Sequence, residues 1–257
     1  MERLTFDTIR VRFQRSTCFV RLDRPERNNA INAQMVEDLH RALDLCEESA
    51  TVLVLEGAPE VFSTGADFVE ISKARVTHPA AIHDPEPLFR LWQRLTDGPF
   101  ISVAHVRGRA NAGGLGFVAA SDVVLADITA EFSLSELLFN LLPSCVLPFL
   151  ARRVGFQRAR YLALSTRPIA VQEAYTWGLV DAYEQHSDVL LRTFLSRLNR
   201  VPRSAIASCK DYLRELDGGT EWTKPRALAV NRDVFSDPRN VAGITRYVED
   251  GLFPWED

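Results

Sequence analysis

The sequence predicts an α/β fold, with a largely parallel β-sheet covered by helices and a helical C-terminal region. Between residues 9 and 120, strand-like apolar runs alternate with helical patterns. Strands that are apolar throughout and lie between helices are typical of a parallel sheet covered on both faces. From about Gly155 onward the strand patterns stop and only helical patterns follow. The change marks either a domain boundary or helices that cover the sheet and contact another subunit, and we expect a core over residues 1–195 and a helical region over residues 196–257.

The elements can be assigned in order along the chain. Alternating apolar and polar residues indicate strands, and apolar residues three or four positions apart indicate helices. The N-terminal part contains a predicted β-hairpin at residues 9–13 and 18–22, a helix around residues 35–46, strands at 52–55 and 100–106, and helices at 87–95 and 115–120. The C-terminal part contains predicted helices at residues 156–164, 171–177, 189–198, 203–216, 221–235 and 240–248. Residues 74–87 show no periodicity, which predicts a loop suited to a substrate lid.

The composition is that of an ordinary folded protein. The chain has 257 residues, 46% of them hydrophobic and 25% charged, and its net charge is -4. No segment concentrates basic residues with aromatics, so we expect no nucleic-acid partner, and no apolar run approaches the roughly 18 residues of a membrane span. The four cysteines are far apart and lack the spacing of zinc ligands. This pattern predicts no metal site and a reducing, cytoplasmic environment.

Two glycine-containing junctions, at residues 62–67 and 108–116, stand between predicted strands and helices. In an open α/β sheet such junctions lie at the carboxyl ends of strands, where ligands bind. Their backbone N–H groups are free at a helix start, so together they could form an oxyanion hole. The alternative is that the glycines only permit tight turns and close helix packing. Their spacing matches neither a dinucleotide fingerprint nor a phosphate-binding loop, so we expect no cofactor.

Glu136 stands between a serine-rich turn and a run of apolar residues. Apolar surroundings raise the pKa of a carboxyl group, which suits proton transfer, although a carboxylate near a helix start can also be an ordinary first-turn residue. Asn111 in the second junction could orient a hydroxyl group or a water, or it could stabilise the loop. His105 falls in a buried strand pattern, and we expect a hydrogen-bonded core histidine there.

Several motifs occur in an order that resembles one family. They are R-P-x-x-x-N-A-I-N at residues 24–32, F-S-x-G-A-D at 62–67, the glycine loop at 108–116, S-D at 121–122, F-S-x-x-E at 132–136 and A-x-x-W-G-L-V-D at 174–181. With these motifs the chain resembles the crotonase (enoyl-CoA hydratase/isomerase) superfamily over essentially its whole length. The resemblance implies a core spiral of ββα turns, a helical C-terminal region that builds a trimer or a dimer of trimers, and chemistry through a thioester enolate.

The resemblance also implies roles for individual residues. The backbone amides of Ala66 and Gly113 match the family's oxyanion hole, with Ala112 in place of the first glycine of its loop. Family hydratases carry two catalytic glutamates: the second matches Glu136, whereas the position of the first is Gly116 here. The residues expected to bind substrate beside them are Gly65, Asp67, Asn111 and Gly114. For Asp67 a helix cap is the alternative.

Within the superfamily the chain is most similar to the dehydratases of polyketide β-branching, through the phrases at residues 105–118, 132–139 and 253–257. This similarity implies removal of water from 3-hydroxy-3-methylglutaryl on an acyl carrier protein to give 3-methylglutaconyl. The alternatives are a decarboxylase, an isomerase or hydratase acting on an acyl-CoA thioester, or a non-catalytic binding protein of the same fold. A decarboxylase generates its own carbanion and needs no base, so Glu136 favours dehydration.

Charged residues are considered for two further contacts with such a substrate. The distal carboxylate of the acyl group needs a cation or a donor, and the candidates are Lys73, Arg75, His78 and His83. A carrier domain is usually acidic and is steered by a basic rim, for which the candidates are Arg24, Arg27, Arg152 and Arg153. Each of these side chains also suits an ordinary solvated position.

Overall fold

The computed structural model describes residues 5–77 and 84–256 of the chain. Its strands are β1 (Ile9–Gln14), β2 (Thr17–Leu22), β3 (Val52–Glu56), β4 (Val61–Ser63), β5 (Ile101–Val106), β6 (Arg109–Asn111), β7 (Val123–Asp127), β8 (Glu131–Ser133), β9 (Ile169–Ala170) and β10 (Ala182–Glu184). Its helices are α1 (Ala33–Ser49), α2 (Phe68–Thr77), α3 (Glu86–Asp97), α4 (Gly113–Ala120), α5 (Leu147–Val154), α6 (Phe156–Ser165), α7 (Val171–Thr176), α8 (Ser187–Leu198), α9 (Arg203–Asp217), α10 (Lys224–Ser236) and α11 (Pro238–Asp250). Short 3-10 turns span Pro25–Arg27 and Glu136–Phe139.

The larger sheet has six strands in the order β1-β2-β3-β5-β7-β10. β1 and β2 form the predicted antiparallel hairpin, and from β2 onward each strand runs parallel to its neighbour. Leu53 and Leu55 point into the main core beneath α1 and α3. Val52 and Val54, on the opposite face of β3, pack against α8. The prediction of a largely parallel sheet covered on both faces is therefore confirmed.

A second, smaller sheet has the strand order β4-β6-β8-β9. β4, β6 and β8 run parallel, and β9 is antiparallel to β8. The sequence patterns did not indicate these strands, because segments of two or three residues are too short to show a periodicity. For the same reason the expectation that strands stop at about Gly155 is wrong. β9 and β10 both lie beyond it, and each is formed by pairing with an earlier strand.

The loop predicted at residues 74–87 is shorter than expected. α2 continues to Thr77 and α3 already begins at Glu86. His78 and His83 lie outside the described residues, and so does the side chain of Arg75. The candidate lid and these three candidate contacts to the distal carboxylate therefore stay predictions.

The C-terminal helices α10 and α11 pack against the turn that follows the small sheet. Phe235 on α10 and Ile244 on α11 form an apolar cluster with Phe139, the last residue of the turn Glu136–Phe139. Asn140 donates a hydrogen bond to Asn240 Oδ1 (2.7 Å), and Asn240 donates one back to the Asn140 carbonyl (3.1 Å). Within the described ranges no helix is both long and apolar enough to cross a membrane. The division of the chain at residue 195 stays a prediction.

Candidate active site

Two loops meet at the edge of the small sheet. β4 and β6 are parallel neighbours, so the segments that follow Ser63 and Asn111 leave the sheet at the same edge. A Cβ placed on Gly65 would lie 2.7 Å from the Cβ of Ala112 and 3.1 Å from the backbone nitrogen of Gly113. The two loops are therefore in van der Waals contact, and only a glycine fits at position 65.

The close approach brings together two backbone amides that lack acceptors in the part of the chain that the structure describes. Ile31 N–H donates to the Gly65 carbonyl (2.7 Å) and Asp67 N–H donates to the Ile31 carbonyl (3.0 Å), so the amide between them, that of Ala66, has no acceptor among the described residues. Gly113 is the first residue of α4, and the first amides of a helix have no intrahelical acceptor. The arrangement can bind one oxygen atom from two directions, as an oxyanion hole does.

Ala112, directly before Gly113, has an unusual backbone conformation. Its φ is 50° and its ψ is -123°, a region that residues other than glycine rarely adopt. Its amide donates to the Ser133 carbonyl on β8 (3.0 Å), which ties the loop to the neighbouring strand. The pairing of β6 with β8 therefore holds the amide of Gly113 in a defined direction despite the strained residue before it.

Glu136 follows β8 at the same edge of the small sheet and begins the turn Glu136–Phe139. The residue as a whole is half-buried, but its Oε2 atom is fully buried and has no hydrogen-bond partner among the described residues. Burial raises the pKa of Glu136 to about 7, against a smaller opposing effect of its own backbone amide. An unpaired carboxylate with a pKa near neutrality can both accept and return a proton.

Asn111 connects the glycine loop to the segment that carries Glu136. Its Nδ2 donates to Ser135 Oγ (2.8 Å) and its Oδ1 accepts from Ser133 Oγ (2.8 Å). These bonds occupy both ends of the amide, which agrees with a loop-stabilising role. Its contact with substrate stays a prediction, and no sequence pattern indicated Ser135 as its partner.

Each carboxylate oxygen of Asp67 contacts a different group of the protein. Its Oδ1 accepts from the Glu70 amide (3.1 Å) in the first turn of α2, as a helix cap does. Its Oδ2 lies 3.0 Å from Arg24 Nη2, although the angle is not that of a hydrogen bond. Arg24 is buried and also donates to the Ala30 carbonyl (2.5 Å). Substrate binding by Asp67 stays a prediction, and its ion pair with Arg24 orients the loop that contains Ala66.

Three of the four arginines considered for a basic rim form ion pairs within the chain: Arg24, Arg152 and Arg153. The proposal is wrong for Arg24, which is buried, and for Arg153, whose guanidinium pairs with Asp181 (2.6 Å) and donates to the carbonyls of Leu179 (2.8 Å) and Ser121 (2.7 Å). Burial lowers the pKa of Arg153, against the opposing effect of Asp181. Of the four, Arg27 is exposed and Arg152 pairs with Asp217.

The absence of a second carboxylate has a steric cause. A Cβ on Gly116 would lie 2.3 Å from Cζ2 of Trp92, so no side chain fits at this position while the indole is there. Gly114 is equally constrained, because a Cβ there would lie 2.5 Å from the Ser63 carbonyl oxygen. The glycines of α4 thus let it pack against both β4 and α3. The periodicity of residues 87–95 predicts that Trp92 is helical, but no pattern in the sequence relates Trp92 to Gly116.

Two further candidates can be placed. His105 is fully buried between Glu56 Oε1 and Ser187 Oγ, at 2.8 Å from each, which confirms the expected hydrogen-bonded core histidine. Lys73 is exposed on α2, and its role toward a distal carboxylate stays a prediction.

The contact between the loops can be tested at Gly65. We expect Gly65→Ala to lower thioester turnover by more than about 10²-fold, because the new methyl group must push the Ala66 and Gly113 amides apart. Gly178→Ala is the matched control, since Gly178 has a similar φ (77° against 89°) but no atom within 4 Å of an added Cβ. Both variants should lose about 1–2 kcal/mol to backbone strain in thermal unfolding. Equal turnover by the two variants would contradict the proposed contact.

The burial of Glu136 has a consequence for stability. Its folded-state pKa of about 7 exceeds the ordinary value of 4.5, so the folded protein holds this proton more tightly and loses stability as the pH rises between these values. Glu136→Gln carries no charge, so it should be about 3 kcal/mol more stable than the wild type at pH 8 and within about 1 kcal/mol of it at pH 5. Urea unfolding at both pH values measures this, with the exposed Glu131→Gln as control. A difference that does not depend on pH would show that the carboxylate is not buried in solution.

The chain is similar to known proteins over its full length. The enoyl-CoA hydratase/isomerase family model matches residues 12–257. The bacillaene synthase dehydratase PksH of Bacillus subtilis (strain 168) is 53% identical, and the alignment covers 100% of both chains. The 2,3-dehydroadipyl-CoA hydratase of Escherichia coli (strain K12) is 29% identical, with 87% of each chain covered.

The fold comparison agrees with the sequence comparison. The crystal structure of pksH from Bacillus subtilis superposes with a TM-score of 0.95 at 52% identity, and the match covers 97% of this chain and 100% of that one. Likeness to a dehydratase over the whole length supports the predicted hydro-lyase. In sequence and in fold, the chain belongs to the enoyl-CoA hydratase/isomerase family, the crotonase superfamily that its motifs resemble.

Proposed function

We propose that this protein removes water from a 3-hydroxyacyl thioester in polyketide biosynthesis, converting 3-hydroxy-3-methylglutaryl on an acyl carrier protein to 3-methylglutaconyl. The observation that carries the proposal is that Glu136, whose buried Oε2 has no hydrogen-bond partner among the described residues, lies at the same sheet edge as two backbone amides without acceptors in that part of the chain. Full-length similarity to a protein named bacillaene synthase dehydratase supports both the reaction and its setting.

The proposed reaction has two steps. The amides of Ala66 and Gly113 donate to the thioester carbonyl oxygen while Glu136 takes the α-proton, and the electron pair of the C–H bond moves into the enolate. The enolate then collapses to form the α,β double bond, and the β-carbon–oxygen bond breaks. The leaving hydroxyl takes the proton from Glu136 and departs as water, so the carboxylate is restored.

A single carboxylate suffices for both proton transfers when its pKa lies near the working pH. A carboxyl group with the ordinary pKa of 4.5 is a weak base toward an α-proton, and it would seldom hold that proton long enough to return it. Burial raises the pKa of Glu136 to about 7, which suits both roles. A decarboxylase acting on the product would need no such base.

The reaction is tested by intact-mass analysis of the loaded carrier protein. We expect loss of the mass of water with the wild type and a decrease of about 10²-fold or more in that rate with Glu136→Gln, because an amide cannot exchange protons in this way. The wild-type kcat/KM should rise with pH around a midpoint near 7, since the base must be ionised. Loss of the mass of CO2 would indicate a decarboxylase, and an unchanged mass would indicate a binding protein.

The carrier is the second part of the proposal. A carrier domain makes surface contacts with the enzyme that CoA cannot make, so the same acyl group should react with a higher kcat/KM on the carrier protein than on CoA. The advantage should shrink at high salt, because exposed charges are screened. Stopped-flow or mass measurements of both thioesters at two salt concentrations decide this. Equal values without salt dependence would favour an acyl-CoA enzyme.

We also propose a trimer or a dimer of trimers, built through the C-terminal region. Large apolar side chains on one segment of α9 are exposed in the single chain: Tyr212, Leu213 and Leu216. Contiguous exposed apolar side chains mark interaction surfaces. Covering them with another copy of the chain is consistent with the assembly that the family resemblance implies.

A further inference from the structure

Trp92 on α3 lies against the first turns of the glycine helix α4. A Cβ on Gly116 would lie 2.3 Å from Cζ2 and 2.6 Å from Cε2 of the indole, and a Cβ on Gly113 would lie 3.9 Å from the same Cζ2. Gly113 and Gly116 are three residues apart and therefore face the same side of the helix. The edge of the indole thus runs from the predicted oxyanion hole to the place where a second side chain is missing.

The polar atom of this indole has no partner. Nε1 of Trp92 is buried and makes no hydrogen bond with any described residue. It is bonded to Cε2, which would lie 2.6 Å from a Cβ on Gly116, so the N–H group is next to the ring edge that contacts α4. The rings of Phe117 and Phe149 beside Trp92 offer it no oxygen or nitrogen acceptor. Buried indole N–H groups usually have a partner, which points to an acceptor on a bound molecule.

The position of the indole N–H suits a contact with the β-hydroxyl oxygen of the proposed substrate. The thioester oxygen binds at Gly113, and Gly116 lies one helical turn further along, about 5 Å away. A hydroxyl on the β-carbon, two carbons beyond the carbonyl, stands at a comparable distance from the thioester oxygen. This oxygen gains negative charge as its bond to carbon breaks, and a nearby donor stabilises that charge.

We propose that the indole N–H of Trp92 donates a hydrogen bond to the β-hydroxyl oxygen of the bound thioester and stabilises it as it leaves. This inference rests on the proposed dehydration. The indole is a donor only, so it keeps its proton, and the proton that completes the water molecule comes from Glu136. Trp92 thereby supplies a hydrogen-bond donor on the side of α4 where its own indole leaves no room for a carboxylate at position 116.

The test separates the two halves of the reaction. Enolate formation is followed as incorporation of deuterium at the α-carbon of the 3-hydroxy-3-methylglutaryl thioester in D2O, and loss of the hydroxyl is followed by mass. In Trp92→Phe, which keeps an aromatic ring but has no N–H, we expect the dehydration rate to fall roughly 10- to 100-fold. Deuterium incorporation should continue at or above the wild-type rate, because the enolate still forms and is reprotonated.

Two controls exclude a purely structural effect. Phe100→Leu changes another fully buried aromatic residue of the same core and should leave the ratio of the two rates unchanged. Trp92→Met fills the space with a flexible side chain that lacks a donor, and it should repeat the result if Trp92→Phe is poorly folded by circular dichroism.

The outcomes distinguish this inference from the function on which it rests. If dehydration and deuterium incorporation fall together in the Trp92 variants, or if neither changes, the role of Trp92 is refuted. If Glu136→Gln retains both rates, the proposed dehydration mechanism itself is refuted, whatever the Trp92 variants show. Loss of both rates in Glu136→Gln, with loss of dehydration alone in Trp92→Phe, is the result expected here.

Discussion

The contact between the Gly65 loop and the start of α4 is the constraint on which the rest of the site depends. It requires a glycine at position 65, because a Cβ there would lie 2.7 Å from the methyl group of Ala112. The contact is produced by the parallel pairing of β4 with β6, which directs both following loops to one edge. The pairing of β6 with β8 adds Glu136 to the same edge. The three short strands β4, β6 and β8 thus bring two amides and one carboxylate, which are far apart in the sequence, to the same edge of the small sheet.

Burying a carboxylate without a partner lowers stability at neutral pH, and the fold compensates for this at the same turn. Phe139, three residues after Glu136, packs between Phe68 of α2 and Tyr247 of α11, with ring centroids 5.0 Å from each. The reciprocal hydrogen bonds between Asn140 and Asn240 attach the end of the turn to α11. The C-terminal helices therefore hold in place a group that by itself would favour contact with water. The same desolvation raises its pKa into the range useful for proton transfer.

Two arginines, Arg24 and Arg153, form ion pairs that connect separate segments of the fold. Arg24 joins the loop before α1 to Asp67, and Arg153 joins α5 to Asp181. Each guanidinium also binds backbone carbonyls, so its planar set of donors is used by segments distant in the chain. A substrate or carrier that carries negative charge must therefore be attracted by other side chains than these two.

The sequence by itself determined the family and the parallel sheet with its hairpin, and it predicted the two glycine-containing loops and Glu136 as candidate site residues, because these depend on motifs and periodicities within short contiguous segments. Only the tertiary structure decided that Trp92 occupies the space beside Gly116, that Arg24 is buried and Arg153 pairs with Asp181, and that β4, β6, β8 and β9 form a second sheet. Each of these rests on contact between segments remote in the chain. A strand of two or three residues forms only by pairing with a neighbouring strand. The sequence around an arginine does not indicate whether its side chain contacts solvent or an aspartate. The physical reason is that side-chain environment is a property of packing, which no local pattern records.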